Sequence, residues 1–289
     1  MKKTIFSMLT LAAALSLCGA EVIRAHQSAS PKYPSRGDKV NLQFKNGTGS
    51  YTISLTNMPS DQKQDPGTDI GMPGPHHFFN FPNAGFLNLT VNGIPSRYLL
   101  PKEIKTDDST GTAKADVLFN FDGTRITLHF ELNDKSPMLY LTLIHDPASD
   151  PVKSMEITIL AYPSINQGNA RKNEYQREVV TANKTYKVDK GVKWLTLERD
   201  CGVMDLIDRA QQPPKNRKAQ GPCAVLADWN GIASGKVHIG KIYNVLLRFT
   251  LKPDAGKWRF AFFERKKKTS NDEYFAYRKK NEALFTFPE

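Results

Sequence analysis

The sequence predicts an all-β fold: a large antiparallel β-sandwich with one helix near its C-terminus. Three observations predict it. Apolar residues recur with period two along most of the chain, the spacing of strands with one buried face. The runs are separated by turn residues, above all Asp122-Gly123, a strong short hairpin signal. One segment carries a clear helix start, Ser270-Asn271-Asp272-Glu273, in which the Ser caps and the Glu reaches back.

Residues 1–20 stand outside that fold. Lys2 and Lys3 precede an apolar run from Ile5 to Leu17, and Cys18-Gly19-Ala20 supplies small residues before Glu21. This order is that of a secretory signal peptide, with cleavage expected after Ala20. The run is too short for a spanning helix, which takes about 20 apolar residues, and no later stretch has the apolar length to cross a membrane. The rival reading is a lipoprotein lipidated at Cys18. Leu17 weighs against it, standing where a small residue is usual. The expected location is periplasmic or secreted, with residues 21–289 forming a single β-sandwich domain.

Within that domain, Ile126, Leu128, Phe130 and Leu132 alternate with Arg125, Thr127, His129 and Glu131, the cleanest strand of the chain. Leu87–Val91, Met155–Ile159, Val245–Leu251 and Trp258–Phe262 alternate in the same way. Further strands are expected near 39–45, 50–56, 96–100, 116–121, 177–181, 184–188, 193–199, 223–229 and 235–242. Leu139 to Ile144 is apolar on both faces, which places it centrally between two covered surfaces. Short strands joined by short turns argue for a sandwich rather than βαβ units. Tyr274, Tyr277, Arg278, Asn281 and Leu284 share one stripe of a helix expected near 271–284, its aromatic side packed on the sandwich.

Forty Lys and Arg residues face 29 Asp and Glu, a formal net charge of +11. The basic residues are densest at Arg265–Lys268 and Arg278–Lys280. Such runs read either as a solvated rim or as attraction to an anionic polysaccharide or membrane surface. Nucleic acid is excluded as a partner, since the chain reads as exported and has no nucleic-acid-binding motif. Once the leader is removed, Cys201 and Cys223 remain. An even number in an oxidising compartment points to one disulfide; two buried free thiols are the alternative.

Several catalytic and metal motifs fail on inspection. Gly231 to Val237 has the wrong glycine spacing for a phosphate loop and no Ser or Thr after Lys236. Asp61, Asp65 and Asp69 resemble a calcium loop, but Pro66 and Met72 occupy its Gly and Glu positions. Ser60 and Lys63 have an acylating-hydrolase spacing without its partner motifs. No cofactor and no metal are expected.

Candidate site residues remain in three places. The long Pro- and Gly-rich segment from Asn57 to Gly74 leads into Pro75-His76-His77-Phe78-Phe79. Imidazoles beside an aromatic floor suit acid/base work or sugar hydrogen bonding. Arg125, Thr127, His129 and Glu131 form a polar ladder on one strand face, with His238, Arg248 and Arg259 as candidates to extend it. Trp194 and Trp229 are candidate platforms for a sugar ring, and Asp228-Trp229 lies near the expected disulfide in the chain order.

Four blocks carry a resemblance of layout: Met138–His145, Met155–Ser164, Gly221-Pro222-Cys223-Ala224-Val225-Leu226, and Asn244–Glu264, two long strands joined by Lys252-Pro253-Asp254-Ala255-Gly256. With them the chain resembles secreted bacterial β-supersandwich proteins of the galactose-mutarotase-like type over about half its length. The resemblance implies a concave sheet able to hold a saccharide, and enzymes of that type use a His with a Glu or Asp around a sugar ring.

Three functions follow as hypotheses. The first is an exported carbohydrate-associated protein that binds a saccharide or polysaccharide on a concave sheet face. The second is a sugar epimerase or polysaccharide lyase-like enzyme, with His76, His77 or His129 as acid/base and Glu131 or Asp228 as partner. The third is a non-catalytic envelope interaction module.

Overall fold

The computed structural model describes residues 19–28, 37–57, 68–71, 85–163, 175–188, 193–199, 201–209, 222–241, 244–264 and 269–288. The chain lays down β1 (Glu21–Gln27), β2 (Lys39–Lys45), β3 (Ser50–Asn57), β4 (Thr68–Gly71), β5 (Leu87–Val91) and the short β6 (Ile94–Pro95) in a first sheet. It crosses to a second sheet for β7 (Glu103–Asp107), β8 (Ala113–Phe121), β9 (Thr124–Leu132) and β10 (Leu139–His145). From there it alternates. The first sheet receives β11 (Met155–Ala161), and the second β12 (Arg177–Val180) and β13 (Thr185–Lys187). Next, β14 (Leu195–Thr196) joins the first, and β15 (Val203–Asp208) and β16 (Cys223–Ala227) the second. The first is completed by β17 (Ile232–Ile239) and β18 (Val245–Leu251), the second by β19 (Lys257–Glu264).

Every strand pairing among the described residues is antiparallel. The spatial order is β1-β2-β3-β4-β5-β11-β18-β17-β14 in the first sheet and β13-β12-β15-β16-β19-β10-β9-β8-β7 in the second. The last two strands are therefore interior: β18 lies between β11 and β17, and β19 between β16 and β10.

Period two puts one apolar row of each strand between the sheets, where Ile126, Leu128 and Phe130 of β9 are fully buried. Aromatic pairs join the layers: Phe44 with Phe130 at 6.4 Å between ring centroids, Phe249 with Phe260 at 5.5 Å, and Phe86 with Phe262 at 5.3 Å. Each buried Phe contributes roughly 1.5–3 kcal/mol over its exposed state. Asp122 and Gly123 both have positive φ, 51° and 94°, as a two-residue hairpin turn of the primed kind requires. That turn pins β8 to β9 from Phe121 opposite Thr124 outward to Ala113 opposite Leu132.

The strand β10 is apolar on both sides because its outer face is covered. Helix α1 (Asn271–Lys280) has both arms of its capping box formed. It ends at Lys280, and Glu282–Leu284 form a separate 3-10 turn. Tyr274 and Phe285 pack on Met138, Tyr140, Ala224, Leu226, Ala261 and Phe263 of the second sheet. A polar clasp fixes the helix. The buried Asp205 of β15 accepts from the Tyr274 hydroxyl at 2.5 Å and from Arg278 Nε at 2.9 and 3.0 Å.

Two expectations are corrected. Residues 96–98 form a 3-10 turn rather than a strand, with the Ser96 hydroxyl accepting from the Leu89 amide. Cys201 and Cys223 are buried free thiols, not a disulfide. Register explains this. Cys223 stands opposite Leu206 in the β15–β16 ladder, five residues from Cys201. At about 3.3 Å per residue the two lie roughly 17 Å apart, far beyond the ~7 Å limit for a bridge. Among the described residues no helix is long and apolar enough to cross a membrane.

Candidate functional site

The second sheet carries a polar constellation on its outer face. On β9 the residues opposite the core positions are Arg125, Thr127, His129 and Glu131, as the alternation predicts. Cross-strand register extends the face into a row running Asp228, Arg259, Thr142, His129, Asp116 and Lys105. His129 is the centre of this row. Its Nδ1 lies 2.6 Å from Asp116 Oδ1 and its Nε2 3.5 Å from Glu131 Oε2. The contact with Glu131 and the negative charge of Asp116 raise the imidazole pKa above 6.5, against the opposing effect of burial. Glu131 is lowered in turn, chiefly by its contact with His129. The imidazolium form donates to Asp116 through Nδ1 and forms an ion pair with Glu131 on its Nε2 side.

The C-terminal segment forms a wall beside this floor. Tyr140 donates to the Thr286 carbonyl at 3.2 Å. Arg259 donates to the Pro288 carbonyl at 3.1 Å, and its guanidinium sits 5.0 Å over the Phe287 ring. Arg259 Nε and Nη2 also bind Asp228 Oδ2, at 3.0 and 2.9 Å. Beyond the wall an open cleft of about 400 Å³ is lined by Val203, Asp228, Trp229, Phe285 and Phe287.

The structure thus joins some expected residues and separates others. Glu131 contacts His129. Asp228 shares the row but stands three strands away, about 14 Å at ordinary strand spacing, so it is a partner of Arg259 and not of His129. Arg125 lies four residues along β9 and is committed to Asp146 through Nε and Nη2. Arg259 extends the floor, whereas His238 and Arg248 do not: they are on β17 and β18, whose outer face belongs to the other sheet. Trp194 is there too, its ring 5.6 Å from His238 and 4.5 Å from the Arg248 guanidinium.

Trp229 lines the cleft and also wedges into the neighbouring strands. Its Nε1 donates to the Cys201 carbonyl at 3.0 Å, its ring meets Phe249 edge-on at 6.0 Å, and it lies where a Cβ on Gly235 would clash. His76 and His77 lie outside the described residues, as do Asp61, Asp65, most of the Asn57–Gly74 segment and the Arg265–Lys268 run. Asp116 is the residue that sequence reasoning missed. The Asp122-Gly123 turn held the signal, because a two-residue hairpin centred there places 116 opposite 129. Among the described residues no group of three or more His, Cys, Asp or Glu side chains converges to hold a metal ion. Asp116 and Glu131 approach opposite sides of the imidazole instead of one point.

No family model matches the chain, and no curated protein matches it by sequence. Solved structures match by fold. A "putative aldose 1-epimerase" from Klebsiella pneumoniae superposes with a TM-score of 0.51 at 9% identity, over 94% of this chain and 93% of that one. A TPR-domain containing protein from Parabacteroides distasonis also gives 0.51, at 10% identity, over 89% of this chain and 56% of its own length. The chain therefore spans little more than half of that protein. At such identities the likeness shows the fold alone. It agrees with the two-sheet antiparallel β layout expected from the sequence.

Proposed function

We propose that the protein binds a saccharide on the outer face of the second sheet, at the step between the His129 floor and the Phe287 wall, without catalysing its conversion. The observation that carries this is the arrangement of His129. An imidazole fixed between two carboxylates, beside Thr142 and Arg259 and next to an aromatic edge, offers fixed polar groups and an apolar flank. The same contact disfavours acid–base catalysis. Glu131 Oε2 is 3.5 Å from His129 Nε2, so no gap separates acid from base in which a sugar oxygen would sit. The fold shared with an aldose 1-epimerase supports a sugar ligand. The reading includes export after loss of residues 1–20 and folding of 21–289 as one domain.

A glycan array followed by calorimetry on the glycans retained tests the site. Replacing His129 by Ala should weaken binding of a neutral glycan about tenfold or more, roughly 1.4 kcal/mol. Retention of no glycan would favour the envelope module. Exchange at the anomeric centre of a bound sugar, catalysed by the wild type and lost in Glu131→Gln, would establish the enzyme instead.

A further inference from the structure

The outer face of the first sheet holds a second cluster, remote from His129 and built on a different principle. Arg248 of β18 lays its guanidinium over the Trp194 ring, 4.5 Å from the centroid. Its Nε faces Glu156 Oε1 of β11 at 3.4 Å, with both side chains 41% exposed. Among the described residues the two terminal nitrogens of Arg248 have no partner. Beside them His238 Nδ1 donates to the Lys193 carbonyl at 2.6 Å, which leaves Nε2 as the free edge of the ring. Lys236 stands directly opposite Arg248 in the β17–β18 ladder and is exposed. Thr158 is opposite Arg248 on the other side, and Asn88 opposite Thr158. Glu156 contacts Arg248 only, and among the described residues Lys236 and His238 form no ion pair with a carboxylate.

We propose that this face is a binding site for an acidic saccharide, in which the free edge of the Arg248 guanidinium receives a uronate carboxylate in a two-point hydrogen-bonded pair. Three features select that ligand. The open edge of a guanidinium matches a carboxylate in geometry, and a paired contact of this kind is stronger than a neutral hydrogen bond. Stacking on Trp194 holds the plane of Arg248 fixed, so little rotamer freedom is lost on binding. The row Lys236, Arg248, Thr158 and Asn88 runs across four adjacent strands, presenting charge at one end and hydroxyl or amide groups at the other. A chain of sugars with repeated carboxylates and hydroxyls can follow such a row. The net charge, +11 for the full sequence and +9 (38 basic against 29 acidic residues) once Lys2 and Lys3 are lost with residues 1–20, draws a polyanion to the protein in the first place.

The test is calorimetric titration with an oligogalacturonate and with the same oligomer after reduction of its carboxyl groups. The wild type should bind the acidic oligomer and not the reduced one. Arg248→Lys keeps the charge but removes the planar edge and the stack, and should weaken binding about tenfold, the scale of one charge-assisted hydrogen bond. Lys236→Glu, at an exposed position that cannot disturb the core, should weaken it severalfold. Binding that both variants retain in full, equal binding of the reduced oligomer, or no binding of the acidic one overturns the proposal. Loss of neutral-glycan binding in His129→Ala belongs to the other face, so the two readings fail separately.

Discussion

The two outer faces of the sandwich begin from the same sequence pattern and end in opposite electrostatic states. On the second sheet four basic side chains are answered by carboxylates of the same layer. His129 has Asp116 and Glu131, Arg125 has Asp146, Arg259 has Asp228, and Arg278 has Asp205. Part of that face is also roofed by α1. On the first sheet Arg248 meets one carboxylate, Glu156, Lys236 stands opposite Arg248 without an ion pair, and among the described residues no helix covers this face. Polar residues on alternate strand positions are therefore not equivalent. Register decides whether a charge meets its opposite on the next strand or is left for a ligand.

The largest test of this contrast is the clasp. Asp205→Ala removes the acceptor of Tyr274 and leaves the Arg278 charge without its partner. It should cost about 3 kcal/mol or more, the usual penalty for breaking a buried pair, read from the shift in urea midpoint. A cost below about 1 kcal/mol would mean that apolar packing alone holds the helix.

His129 sharpens the comparison at a smaller scale. Its folded pKa lies above 6.5, so its stabilising effect is complete below about that pH and fades as pH rises through the raised value. Glu131 lies below 4.5, so its contribution is present above about that pH and fades as pH falls through the lowered value. The pair works best between the two. His129→Gln should therefore lose about 1 kcal/mol near pH 5.5, given partial exposure, and less at pH 8. Nuclear magnetic resonance titration should show the imidazole pKa dropping in Glu131→Gln. An unchanged value would assign the shift to Asp116.

On the first sheet the expected cost is smaller still. Arg248→Lys should change stability by under about 0.5 kcal/mol, as exposed pairs do. A loss above about 1 kcal/mol would make Arg248 a structural tie and erase the distinction between the faces. The cysteines should show no redox effect at all. Both Cys201 and Cys223 should alkylate in denaturant without reductant, and protection of either would restore a disulfide.

Local signals were the legible part of the sequence. The Asp122-Gly123 turn, the two-faced apolar strand at 139–144 and the Ser270–Glu273 capping box each depend on neighbours within a few residues, and each appears in the structure. Sheet membership is not local. Nothing near Arg248 or His238 reveals that β18 pairs with β11, and β17 with β18, rather than with β9 and β10. They were therefore grouped with His129, although a whole sandwich lies between. The cysteine pairing failed for the same reason, because counting thiols carries no information about a five-residue offset in register. Asp205 shows a third limit: a carboxylate whose partners lie about 70 residues later cannot be told from a solvated one until the helix is placed.

The interior placement of β18 and β19 has a consequence in time. A ribosome delivers these strands only from residues 245 and 257 onward, yet each is the seam joining a strand made much earlier, β11 or β10, to one made shortly before, β17 or β16. Until then β11 lacks one neighbour, β10 lacks another, and neither sheet can close. Contacts of such long sequence separation also make folding slow. The early strands can pair among themselves, but the two halves of each sheet are joined only when the last strands arrive, and until then the edges of β11 and β10 stay unpaired and open to aggregation.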